Sequence, residues 1–174
     1  AALPGMRERT VLLHGFSKAY SMTGFRLGYA CAPAPLIEAM MKIHQYAMLC
    51  APITSQAAAL EALQNGDAAM NEMRESYHHR RDFTVKRLNE MGLDCHAPGG
   101  AFYVFPDVSA FFGKTLKGTL VKNASDFAMF LLEQANVATV TGEAFGAPDC
   151  IRISYAASEA QIKEAINRIA KVLA

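Results

Sequence analysis

Lys18 stands in a stretch of small and hydroxyl-bearing residues, Ser17 to Gly24, between two apolar runs, Thr10 to Phe16 and Phe25 to Cys31. Both runs read as buried strands, and a lysine beside a buried sheet is costly unless it has a partner or a task. Arg26 follows eight positions later, flanked by Gly24 and Gly28. Glycine lets backbone come close to a ligand. Hydroxyls with an arginine suit a phosphate, which a guanidinium grips at two points. No GxxxxGK[ST] pattern is present, so this is not a Walker loop. Without the residues around it Lys18 reads as a surface-loop lysine, and an ordinary strand-end salt bridge is the alternative for Arg26.

The elements that must position these residues follow from periodicity and punctuation. Pro33 and Pro35 end the second strand, and Pro35 to Met48 reads as a helix with Leu36, Ile37, Met40 and Ile43 on one face. Thr54 to Leu63 is alanine-rich and helical. After the turn at Asn65-Gly66, Asp67 opens a charged helix reaching about Met91, which is expected to bridge two domains. Pro98-Gly99-Gly100 is a turn before a strand over Ala101 to Val108. Phe111 to Asn123 reads as an irregular loop. Ser125 is the expected cap of a helix carrying Phe127, Phe130 and Leu131. Val137 to Thr141 and the alternating Cys150 to Tyr155 are strands separated by a loop. Ser158 with Gln161 forms a capping box for a last helix whose core face holds Ile162, Ile166, Ile169 and Leu173. The class is α/β, with a boundary along the charged helix.

Composition narrows the partners. The 174 residues are 52% hydrophobic and 19% charged, an ordinary globular balance. A net charge of +1 gives no electrostatic case for nucleic acid or an anionic membrane. The basic run His78-His79-Arg80-Arg81 reads as a solvated helix face. Cys31, Cys50, Cys95 and Cys150 are widely spaced, with neither a CxxC pair nor a metal-ligand pattern; no metal is expected, and buried free thiols in a reducing cytoplasm are. Ala1 to Thr10 lacks the apolar stretch of a signal peptide, and no window approaches a membrane span.

The segment SKAYSMTGFRLGY closely resembles the lysine motif of the class I/II aminotransferases, the fold-type-I pyridoxal-phosphate enzymes, which reads roughly S-K-x-x-x-x-x-G-x-R-x-G. Ser17, Lys18, Gly24, Arg26 and Gly28 supply each fixed position. Leu3-Pro4-Gly5-Met6-Arg7-Glu8-Arg9-Thr10 resembles the family's approach to that strand, and Pro98-Gly99-Gly100-Ala101-Phe102-Tyr103 resembles its P-x-G-x-F-Y element. Gly142 to Gly146 with Cys150 to Tyr155 resembles its G-x-x-F-G…R-I-S ending. The resemblance therefore runs over essentially the whole chain.

What the resemblance implies is a fold-type-I architecture: the C-terminal part of the large cofactor-binding domain over residues 1–70, then the small C-terminal α/β domain over residues 71–174. It implies pyridoxal 5'-phosphate held as a Schiff base on Lys18, with Arg26 and Ser17 on the cofactor phosphate and Arg152 on the substrate α-carboxylate. Lys18 would then move the proton at the substrate α-carbon, for which its amine must be neutral part of the time. The implied reaction moves an amino group from an L-amino acid to a 2-oxo acid, in a cytoplasmic homodimer. The same fold serves β-lyases, racemases and synthases, and a non-catalytic fragment is a further alternative. Two departures stand out. Thr141 occupies a position where the family usually has proline. The family's aspartate opposite the pyridine nitrogen, its asparagine and tyrosine near the cofactor's 3′-oxygen, and its ring-stacking aromatic lie upstream of the lysine, so the chain is expected to be incomplete.

Overall fold

Gly15 and Gly28 meet across a pair of short strands, β1 (Leu12–Gly15) and β2 (Gly28–Cys31), which run antiparallel with Leu12 opposite Cys31 and Gly15 opposite Gly28. The approach there needs glycine: a Cβ on Gly28 would sit 2.8 Å from the His14 carbonyl oxygen. These strands belong to the first of two units, Ala1–Met73 and Arg74–Ala174, into which the chain divides. The structure, a computed structural model, describes residues 1–174.

In the first unit β2 leads through Pro33 into α1 (Ala34–Ala47), with a proline in its first turn, and Pro52 precedes α2 (Ile53–Asn65). The expectation of buried strands is corrected here. Most of β1 and β2 is exposed, Leu13 to 69%, because the two strands form a ribbon of their own with no third strand beside them. The apolar face expected of α1 buries no residue either. The small buried cluster of this unit is Phe16, Met22 and Ala59, with Tyr20, Leu27, Ala58 and Ala62 packed against it.

The charged helix α3 spans Asp67–Glu90, and the division between units falls within it. Its last turns bury Thr84 and Leu88 in the second unit. That unit is built on a three-stranded antiparallel sheet in the order β3-β7-β6, from β3 (Tyr103–Val104), β7 (Ile151–Ser154) and β6 (Val140–Thr141). The hairpin between β3 and β6 is formed by β4 (Thr115–Leu116) and β5 (Thr119–Leu120). It lies where an irregular loop was expected; Lys117 and Gly118, both at positive φ, make its two-residue turn. Strand β3 is two residues rather than eight, since beyond Val104 the chain turns through Pro106 and keeps only single bridges at Asp107.

Helix α4 (Ala124–Ala135) is capped by Asn123, not Ser125: the Asn123 side chain accepts from the Asp126 N–H at 2.9 Å. It packs on β6 and β7 and against α5 (Glu159–Leu173), which starts with the expected Ser158–Gln161 capping box. The fully buried line of α5 ends on Val172 rather than Leu173. Phe127, Phe130, Leu131, Ile151, Ile162, Ile166 and Ile169 fill one continuous core with Leu88, Leu93, Val104, Val108 and Val121. Each such side chain stabilises the fold by about 1.5–3 kcal/mol before entropy is counted. Tyr155 closes this core, its hydroxyl donating to the Ala101 carbonyl at 3.0 Å, and Arg81 donates to Pro98 at 3.3 Å, so the Pro98–Ala101 turn is held from two sides. The cysteine expectation is half corrected: Cys95 is buried and Cys150 partly so, but Cys31 and Cys50 are exposed. No helix is long and apolar enough to cross a membrane.

Candidate functional site

The loop from Ser17 to Leu27 is closed on itself by Phe16. The Phe16 N–H donates to the Leu27 carbonyl at 3.3 Å, and the Tyr20 and Met22 N–H groups both donate back to the Phe16 carbonyl. Phe16 is 4% exposed, wedged between Met22 and Ala59, so its ring anchors the loop while the loop's polar residues stay outside. Ser17 is half-buried, and Lys18 and Arg26 are exposed. The Ser21 N–H donates to the Lys18 carbonyl at 3.2 Å, which makes a tight turn directly after the lysine. Lys18 stands on a loop between two strands, as expected, but those strands are exposed rather than buried.

Backbone strain gathers in this loop. Ser21 and Arg26 both lie at positive φ, 54° and 52°, a conformation that costs a side-chain-bearing residue on the order of 1–3 kcal/mol. Arg26 is held there by its own Nη1, which donates to the Thr23 carbonyl at 2.9 Å, and by a bond one residue earlier. Ser55 of α2 is 4% exposed, and its hydroxyl donates to the Phe25 carbonyl at 2.8 Å. The helix thus pins the residue that precedes Arg26. One guanidinium donor is used at Thr23, and the others remain for a ligand. Sequence reasoning passed over Ser55, which sits in an alanine-rich helix with no motif around it.

Ser17, Lys18 and Arg26 therefore share one loop of the first unit. Arg152 belongs to the second unit and stands on β7, whose alternation sends Ile151 into the core and Arg152 to the opposite face. It pairs in register with Val140, while Tyr103 pairs with Ser154, two residues on and on the same face as Arg152. The Arg152 guanidinium carbon lies 4.4 Å from the Tyr103 ring centre and 4.2 Å from the Phe145 ring centre. No carboxylate of the chain forms an ion pair with it.

The loop that carries Phe145 is tightly built. The Gly142 N–H donates to the Cys150 carbonyl at 2.8 Å, and the Phe145 and Ala147 N–H groups donate to the Gly142 carbonyl at 2.8 and 3.0 Å. A Cβ on Gly142 would run into the carbonyl oxygens of Ala147 and Cys150. Thr141, where proline was the family's expectation, leaves its buried hydroxyl oxygen without a hydrogen-bond partner, as does Thr139. Its backbone still pairs with Ile151, so the departure leaves the strand intact.

A family model described as aminotransferase class I and II matches residues 2–169. The aspartate aminotransferase of Rhizobium meliloti (strain 1021) is 47% identical over 169 residues, covering 96% of this chain and 41% of that protein. Among solved structures, the aspartate aminotransferase from Rhizobium meliloti superposes with a TM-score of 0.92 at 46% identity, over 98% of this chain and 43% of that one. The aromatic aminotransferase from Pyrococcus horikoshii OT3 gives a TM-score of 0.86 at 41% identity, over 99% of this chain and 45% of that one. The chain thus spans less than half the length of these proteins.

Proposed function

This chain belongs to the class I and II aminotransferase family, and on that premise we propose that the protein carrying it is a pyridoxal 5'-phosphate-dependent aminotransferase. It moves an amino group from an L-amino acid to a 2-oxo acid. The first unit is then the end of the large cofactor-binding domain, about residues 1–70, and the second the small domain, about 71–174. The observation that carries the reading is the loop of the first unit, which presents an amine, a hydroxyl and a guanidinium from one strained, doubly anchored turn. That donor set fits the cofactor: the phosphate suits Arg26 and the Ser17 hydroxyl, and the aldehyde suits a primary amine.

When bound, the cofactor supplies an electron sink for the substrate α-carbon. Lys18 would hold it through its side-chain amine and, once freed, would move the proton at the substrate α-carbon. Arg26, its conformation fixed through Thr23 and Phe25, neutralises phosphate charge. Arg152 has no acid partner, and its in-plane N–H donors are suited to the substrate carboxylate. The protein works in the cytoplasm, in keeping with four free thiols, and as a homodimer, in keeping with the apolar face that α1 leaves uncovered.

The test uses the full-length protein with an amino acid labelled with nitrogen-15. Transfer of the label to an added 2-oxo acid, dependent on that acid and lost in Lys18→Ala, is the expected result. Keto acid formed with ammonia and without an acceptor would instead indicate elimination. Two relatives of comparable similarity are named for aspartate and for aromatic substrates. Side-chain preference is therefore to be sought outside the features this segment shares with both.

A further inference from the structure

Arg152 is a half-buried cation with two aromatic rings against it and no acid beside it. The rings come from different places. Tyr103 is on β3, the neighbour of β7, and Phe145 is in the loop after β6. Phe145 is 49% exposed, so its place over the guanidinium is not forced by burial in the core. It is set by the Gly142 loop and by Phe105, which meets the Phe145 ring edge-on at 5.8 Å and 75°.

We propose that Tyr103 and Phe145 are positioning residues that form an aromatic seat for Arg152 and thereby set how tightly the site holds a carboxylate. The inference rests on the reading of Arg152 as the carboxylate anchor. A guanidinium is flat, with its donors in the plane and weakly hydrated faces. Rings packed on such a cation hold it through their negative faces and keep water off it without consuming any N–H donor. What remains is the edge, where a planar carboxylate accepts two parallel hydrogen bonds. An ion pair in place of the rings would also fix the side chain, but it would occupy the same donors as the ligand. The seat therefore orients the arginine and leaves its binding edge unspent. A lysine at this position would have neither a flat face for the rings nor a fork for the carboxylate.

The carboxylate is held in the bound substrate and in the transition state alike, so losing a ring should raise KM and leave kcat nearly unchanged. The experiment uses the full-length enzyme and two readouts: steady-state kinetics for the amino donor, and the Kd of propionate, a carboxylate with no amine to react. For Phe145→Leu the account expects about a fivefold rise in both KM and propionate Kd, the size of one cation–ring contact at a partly exposed site. Phe145→Tyr, which keeps a ring, should restore both. Tyr103→Leu and Tyr103→Phe should repeat the pattern. If Tyr103→Leu fails to fold, the exposed Phe145 pair alone decides the question. Unchanged KM and propionate Kd in Phe145→Leu, alongside a large loss in Arg152→Lys, would overturn the seat and leave the carboxylate anchor standing. If Arg152→Lys itself leaves propionate binding intact, the anchor reading fails, and the seat with it.

Discussion

The Ser55 hydroxyl reaches across from α2 to the Phe25 carbonyl oxygen at 2.8 Å, and the loop it holds contributes Tyr20, Met22 and Leu27 to the buried Phe16 cluster. The carbonyl belongs to the residue before Arg26, whose φ of 52° needs outside support. Replacing Ser55 with alanine leaves that acceptor without its partner, a loss of about 1–3 kcal/mol for a buried group. The expected outcome is faster hydrogen exchange at Phe25 and Leu27 and weaker cofactor binding, with the second unit unaffected. Exchange that stays at the wild-type level would mean that α2 does not hold the loop.

Gly142→Ala should destabilise the second unit. The added methyl collides with two backbone carbonyls, those of Ala147 and Cys150, which have no rotamer to give way. Overpacking of this kind costs about 1–3 kcal/mol. A urea titration followed by far-ultraviolet circular dichroism reads the loss directly. Gly24→Ala, where a Cβ meets nothing within 4 Å, is the matched control and should leave stability near wild type.

The four thiols should separate by reactivity. Cys31 and Cys50 are exposed and should react with Ellman's reagent at once in the native protein. Burial, with smaller contributions from Asp94 and Cys150, pushes the Cys95 thiol up to about 11, and burial raises Cys150 as well. An unfolded thiol ionises near about 8.5. The folded state therefore keeps a proton that the unfolded chain loses first. The stability that this contributes is present in full below about 8.5 and is lost as pH rises toward the folded value of about 11. Cys95→Ala should flatten that alkaline decline in denaturation midpoints; an equally steep decline would assign it elsewhere.

The first unit exposes a run of large apolar side chains, among them Ile43 at 74%, Tyr46 at 88% and Leu49 at 79%. A patch of this kind needs a cover. The 174-residue chain studied by itself should bind anilinonaphthalene sulfonate and self-associate, and the pair Ile43→Lys with Leu49→Lys should reduce both. Sedimentation showing a clean monomer with no dye binding would contradict the exposure seen here.

The architecture of the second unit was legible because its signals are local. The Ser158–Gln161 box, the alternation of Ile151 and Ile153 around Arg152, and the spacing of Phe127, Phe130 and Leu131 each depend on a few neighbouring residues. The burial of β1 and β2 was misread because an apolar run reports what a strand can bury, not whether anything is there to cover it. The hairpin at Lys117-Gly118 escaped notice because its two-residue strands carry no period. Ser17, Lys18 and Arg26 were visible as a spaced motif. Ser55 and Tyr103 escaped notice because each touches a residue far along the chain, Phe25 and Arg152; Phe145 lies near Arg152 in sequence, but in a loop without a period to show which way its ring faces.

In the proposed function Lys18 carries the cofactor. The direct measurement is to reduce the full-length protein with borohydride in the presence of pyridoxal 5'-phosphate and locate the modified peptide by mass spectrometry. The account predicts one stoichiometric label on Lys18, absent from Lys18→Ala and diminished in Arg26→Ala, where the phosphate loses its guanidinium. No label, or label scattered over several lysines and unchanged in Lys18→Ala, would contradict it.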